Sequence, residues 1–175
     1  MKIALPLLIL VAAIGCALWL RTRANSKPKF ESTEQLVGWL AAEAVKDAAE
    51  NNHVNLDYSI DSIKKVDGIL GKLHDEYVKN PSSISVNGLG SAYGAYIGEV
   101  IRRNEPNAHW LRDDEMGEKT YPIVWGPDQG HSYVMGWCAR RIQNGDEDNV
   151  WLKYYALKNN LQKQPSVSVK HSEKR

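Results

Sequence analysis

Thiols, imidazoles and carboxylates are the groups from which this chain could build a reaction centre. Cys138 and His131 are spaced so that one helix running through both would place a nucleophile and a base on one face. Ser132 reads as a helix cap between them and breaks that helix. Cys138 also falls at an apolar helical position, where a thiol is ordinarily buried and inert. The five histidines show no HxxxH, HExxH or Cys/His pairing with metal-ligand spacing. A P-loop, a Rossmann glycine pattern and a G-x-S-x-G elbow are all missing from the sequence. No motif therefore implies a catalytic residue, a metal or a cofactor. What remains is Glu99 and the run Asp113-Asp114-Glu115-Met116-Gly117-Glu118, which could furnish paired carboxylates for a hydrolase. That run lacks the alternating ligand pattern of a calcium loop.

Glu99 belongs to the stretch GSAYGAYIGEVIRR, Gly90 to Arg103. Gly90, Gly94 and Gly98 recur at i, i+4 and i+8, so a helix stacks them in one narrow stripe. An interior glycine costs about 1 kcal/mol of helix stability relative to alanine, so a stripe of them predicts close approach of another backbone. Tyr93, Tyr96, Ile97 and Val100 surround the stripe with apolar bulk, which predicts a central helix buried on more than one side. Glu99 can meet Arg102 or Arg103 at i+3 and i+4, either as a solvated ion pair or as an acid at the rim of a groove. These charges argue against a membrane dimer motif here. Tyr93, Tyr96, Glu99, Arg102, Arg103 and Trp110 form the candidate binding surface, because Tyr, Trp and Arg anchor protein interfaces. The competing reading places most of the rings in the core.

The elements around that helix follow from periodicity and punctuation. Ser32 or Thr33 caps a helix whose stripe is Leu36, Leu40, Ala44 and Ala48, widened by Val37, Trp39, Ala41 and Val45. Ser59 caps a second, with Ile63, Val66, Leu70, Leu73 and Tyr77 as its seam. His109–Arg112 and Thr120–Trp125 read as a β-hairpin with an acidic tip, and Pro122 places its strand at an edge or a bulge. His131–Tyr133 reads as a third strand or a cap. Val134, Trp137, Cys138 and Ile142 mark a helix stopped by Asn144-Gly145, and Asp146 or Asp148 caps a last one through Val150, Tyr154, Leu157 and Leu161. The fold class is α+β: about five helices with a small antiparallel hairpin or three-stranded sheet, plus one N-terminal membrane helix. The expected boundaries are a membrane anchor or signal segment at 1–23, a linker at 24–31, one α+β domain at 32–162 and a disordered tail at 163–175.

The chain has 175 residues, with 22 basic and 21 acidic, which gives no nucleic-acid signal. Ile3–Leu20 is apolar and uncharged, flanked by Lys2, Arg21 and Arg23, and just long enough to cross a bilayer as a helix. Three readings compete: an uncleaved anchor, a lipoprotein signal around Ala13-Ile14-Gly15-Cys16, and a cleaved signal peptide. Residues 17–20 stay apolar after Cys16, and no clean A-x-A site precedes a polar start, so the anchor is preferred. Arg21, Arg23, Lys27 and Lys29 outweigh Lys2, which keeps the domain cytoplasmic at the inner membrane. A lipid on Cys16 would make it periplasmic instead.

The run Ile63-Lys64-Lys65-Val66-Asp67-Gly68-Ile69-Leu70, then Gly94 to Arg103, a Trp-containing strand, Val124-Trp125 and Arg140 to Gly145 resemble a bacterial domain family of unknown function. The resemblance covers about Asp57 to Tyr155, implies a compact α+β domain, and carries no activity or site residue across. The expectation is a membrane-tethered, non-enzymatic protein-binding module, of an envelope-associated or immunity type. The alternative is a hydrolase using carboxylates such as Glu99.

Overall fold

The computed structural model describes residues 28–163, with side chains to residue 160. The expected membrane segment and most of the expected tail lie outside the described residues. Among the described residues, those from Ser32 onward form one unit. It is an α+β fold of five helices and a three-stranded antiparallel sheet.

Helix α1 (Thr33–Asn52) starts at Ser32, whose hydroxyl accepts the Gln35 N–H at 3.3 Å. It ends at His53, in the left-handed region with φ 54°. Its buried face is Val37, Ala41, Ala44 and Ala48, so Leu36 and Leu40 are only half-buried and Trp39 is exposed. Small residues face inward, and the larger side chains flank the contact.

Helix α2 (Ser62–Lys79) buries Ile63, Val66 and Leu70, with Leu73 and Tyr77 at the core edge. It begins later than a Ser59 cap predicts. Asp57 accepts the Ser59 N–H at 3.1 Å and its hydroxyl at 2.6 Å, and the Ser59 carbonyl accepts the Ser62 N–H at 3.0 Å. Ser59 therefore closes a turn ahead of the helix.

Helix α3 (Val86–Asn104) runs through the core between α1 and helix α4 (Val134–Asn144). The glycine stripe is where α4 and the sheet come closest. A Cβ at Gly90 would lie 3.0 Å from Ala139 Cα, one at Gly94 2.3 Å from Met135 Cα, and one at Gly98 2.1 Å from Trp110 Cζ2. The backbone approach that the spacing implies is present at Gly90 and Gly94, and an indole ring fills the place at Gly98.

The sheet has the order β1-β2-β3, with β1 His109–Trp110, β2 Ile123–Trp125 and β3 Gly130–Ser132. Trp110 pairs with Ile123, and Ile123 with Ser132. Pro122 precedes the central strand rather than an edge one. Its carbonyl still accepts the Leu111 N–H at 3.0 Å, and its missing donor falls outside the paired residues of β2. Ser132 does not cap α4: it ends β3, and its hydroxyl accepts the Trp125 indole N–H at 2.9 Å. Helix α5 (Val150–Lys163) is capped by Asn149, whose side chain accepts the Leu152 N–H at 2.8 Å. Asp146 and Asp148 lie in the 3-10 turn Gly145–Asp148 instead.

Two glycine substitutions should move stability in opposite directions. Gly94→Ala pushes a methyl into α4 backbone and should destabilise by at least ~1–3 kcal/mol. Gly38→Ala in α1 meets nothing within 4 Å and should stabilise by about 0.5–1 kcal/mol. Urea midpoints of the two variants test this; equal shifts would mean that the stripe is not in contact.

Candidate functional site

Glu99 reaches the last turns of α3 directly after the glycine that admits Trp110. Packing therefore decides its chemistry: the indole lying over Gly98 donates its N–H to Glu99 Oε1 at 3.0 Å. Arg102 grips the same carboxylate with two hydrogen bonds, Nε to Oε1 and Nη2 to Oε2, both 2.8 Å. Arg103 Nε lies 3.5 Å from Oε2. The Glu99 side chain is 7% exposed, while those of Arg102 and Arg103 are 42% and 45% exposed. Burial pushes the Glu99 carboxyl up, but the bonds from Arg102 and Trp110 and the charges of both arginines outweigh it and hold it below the usual range. Hydrogen bonding to Glu99 raises Arg102 in turn.

The arginines also have a floor. The Arg103 guanidinium lies over the Tyr58 ring, 3.5 Å from its centroid, and the Tyr58 and Tyr96 centroids are 4.7 Å apart. The Tyr96 hydroxyl accepts the Tyr58 N–H at 2.8 Å and donates to Ser62 Oγ at 2.7 Å. Asn104 donates to the Tyr58 carbonyl at 3.1 Å. Tyr58 is held at φ 58° by these contacts.

Five of the six expected residues thus meet in one cluster: Tyr96, Glu99, Arg102, Arg103 and Trp110. Tyr93 does not join it. Its hydroxyl donates to Asp47 of α1 at 2.5 Å. Neither tyrosine lines a groove, because both rings are fully buried in the core. The outward surface is made by Arg102, Arg103 and Tyr58, and Tyr58 carried no periodicity that would single it out.

The acidic tip is a self-closed loop. The Asp113 carboxylate accepts the Lys119 N–H at 2.7 Å and pairs with Arg112 at 3.3 Å. Asp114 turns inward, its side chain 1% exposed. It accepts the Met116 N–H at 2.9 Å, the Thr120 hydroxyl at 3.0 Å and the Tyr133 hydroxyl, and faces His131 Nδ1 at 3.1 Å. The Tyr133 bond, helped by His131 and Thr120, lowers the Asp114 carboxyl to about 2, while the same bond pushes Tyr133 up to about 12. His131 is thereby tied to the loop, and Cys138 is fully buried with its thiol pushed up by desolvation. Glu99, Asp113 and Asp114 are each taken by partners of their own. Among the described residues no group of three or more His, Cys, Asp and Glu side chains is placed to hold a metal.

A second buried cluster has no counterpart in the sequence reading. Asp67 accepts Arg141 Nε at 3.1 Å, the Val150 N–H at 2.9 Å and Asn149 Nδ2 at 2.7 Å, and Arg141 Nη2 reaches Asp146 at 2.7 Å. A Cβ at Gly71 would lie 2.9 Å from Arg141 Nη2, so that glycine makes room for the guanidinium. The available signal was an acid at i+4 from Ile63 and three before Leu70, on the apolar face of α2.

Comparison with protein-family models, with curated proteins and with solved structures finds no match. The family resemblance therefore rests on the residues that carry it.

Acid titration tests the Asp114 anchor. Its folded value lies below the ordinary 3.8, so its contribution is complete above pH 3.8 and is lost as pH falls toward about 2. Asp114→Asn should be less stable than wild type above that window, with the gap closing through it. Denaturation midpoints against pH would show this; a gap independent of pH would refute the assignment.

Proposed function

We propose that this chain is a membrane-tethered bacterial module that binds an acidic protein surface through Arg102 and Arg103. One observation carries the reading: two exposed guanidiniums are held in place by a single buried carboxylate and an aromatic floor. An ordinary surface arginine loses side-chain freedom when it binds. Here Glu99, Trp110 and Tyr58 have already ordered the pair, which lowers that entropic loss. Glu99 and, at longer range, Glu34 balance the charges of Arg102 and Arg103, so it is the remaining guanidinium N–H groups that suit carboxylates of a partner.

A hydrolase built on Glu99 has less support. Its two oxygens are bound by Arg102 and Trp110, and its lowered pKa unsuits it to act as a general acid near neutrality. Residues 3–20 provide the tether in this reading. The positive excess at Arg21, Arg23, Lys27 and Lys29 supports a domain on the cytoplasmic face of the inner membrane. Lipidation of Cys16 is the periplasmic alternative.

In-cell cross-linking of the full-length tagged protein, followed by mass spectrometry, tests the module. Wild type should capture one recurrent partner. Arg102→Glu/Arg103→Glu should weaken that capture by at least about tenfold. Arg102→Lys/Arg103→Lys, which keeps the charge, should weaken it less. Equal capture by all three chains would sink the arginine surface. The partner's compartment would read out the topology.

A further inference from the structure

Where α3 ends, Glu105, Pro106 and Asn107 face Gly126, Pro127 and Gln129 of the β2–β3 turn across a cleft of about 460 Å³, which Lys158 of α5 also lines. That volume falls in the ~300–1,000 Å³ range of small-molecule sites. Its walls are preset. Asn107, Gly126 and Gln129 all lie in the left-handed region, at φ 60°, 80° and 51°. Asparagine enters that region readily, whereas a glutamine persists there only where its surroundings over-determine it, and such positions gather at binding sites. Pro106 and Pro127 fix their own φ. Gln129 closes the turn by giving both its backbone N–H, at 3.2 Å, and its side-chain Nε2, at 3.0 Å, to the Gly126 carbonyl.

The cleft also holds a buried charge. The Glu105 side chain is 7% exposed and accepts the Tyr154 hydroxyl at 3.2 Å and the Lys158 ammonium. Each carboxylate oxygen therefore has one protein donor and keeps a further lone pair. The Lys158 ammonium has three N–H donors and spends one on Glu105. The pair is complete as a salt bridge and still has hydrogen-bonding capacity.

We propose that this cleft binds a polyhydroxylated small molecule, a sugar unit, through the Glu105–Lys158 pair. The charge balance selects the class. Glu105 and Lys158 neutralise each other and no other charged residue among the described ones lines the cleft, so a simple anion or cation meets repulsion from one member. A hydroxyl donates and accepts at a single atom, so it gives its proton to Glu105 while accepting from Lys158, with no charge separated. A peptide amide carries its donor and acceptor on opposite sides of the C–N bond and does not bridge a contact pair in this way. Asn107 and Gln129 add carboxamides, which hydrogen-bond hydroxyls in both directions. The two proline rings offer apolar faces to ring carbons. The inference goes beyond the arginine surface and does not rest on it.

The test uses purified full-length protein in a sugar-free detergent and saturation-transfer NMR. Probes are glucose, galactose, mannose, N-acetylglucosamine and their disaccharides, with free amino acids and tripeptides as the contrasting set. At least one saccharide should show saturable transfer. Lys158→Met and Glu105→Gln should each weaken it about tenfold, the loss of one hydrogen bond to a charged group. Lys158→Met leaves the buried Glu105 carboxylate without its counter-charge and should lower the melting temperature, so Glu105→Gln/Lys158→Met, which removes both charges and should likewise lose saccharide transfer, carries the test if either single variant unfolds. Transfer to no saccharide, transfer to tripeptides alone, or saccharide transfer unchanged in Lys158→Met would each overturn the proposal.

Discussion

At Gly94 the backbone of α3 comes so near that of α4 that a methyl group would lie 2.3 Å from Met135 Cα. The three stripe glycines weaken α3 by about 1 kcal/mol each unless something fills the groove they leave. What fills it is α4 at Gly90 and Gly94 and the Trp110 ring at Gly98. The contact sets the separation of the two helices and the place of β1. It also determines where the Trp110 indole N–H points, and so which carboxylate is held. The arginine surface is a downstream result of a packing requirement.

Buried charge is the second organising feature. Removing one partner of a buried pair costs about 3–5 kcal/mol, because the other is left uncompensated. Glu99, Glu105, Asp67 and Arg141 are all buried, and each is compensated. No buried side-chain nitrogen or oxygen among the described residues lacks a hydrogen-bond partner. These clusters matter most for α5, where only Val150 and Tyr154 are buried among the described side chains. Its first turn hangs on Asp67 through the Val150 N–H. Its middle is held by the Tyr154 ring stacked on Trp125 at 5.7 Å and by Tyr154 and Lys158 bonded to Glu105. Polar contacts thus do for α5 what alanine and glycine stripes do for α1 and α3.

Apolar periodicity and turn residues were enough to read the helices and the hairpin in the sequence, because those signals are local. The glycine spacing also announced a close contact, though not with whom. Cap assignments were less legible. Ser59, Ser132, Asp146 and Asp148 are good capping residues, but each is taken by a tertiary or turn partner that a linear reading does not contain. The Glu99–Arg102 pair follows from i+3 spacing, whereas its burial follows from Trp110, which arrives from a strand. Tyr58 was invisible because its place under Arg103 depends on a loop held by Tyr96 and Asn104. Tyr93 and Tyr96 looked like interface aromatics by residue type. Their hydroxyls instead satisfy Asp47 and Ser62 inside the fold.

The same distinction bears on function. A reaction centre needs groups with spare proton-transfer capacity, and in the clusters around Glu99, Asp114 and Asp67 that capacity is consumed by internal partners. A binding surface has the opposite requirement: side chains already immobilised, with some donors left over. An arginine side chain carries about 2 kcal/mol of rotamer entropy. Glu99 and Tyr58 remove part of that freedom in advance of the proposed binding, and the left-handed backbone around the Glu105–Lys158 cleft does the same for its walls. Both places combine ordered geometry with unspent hydrogen-bond donors, and recognition draws on that combination more directly than catalysis does.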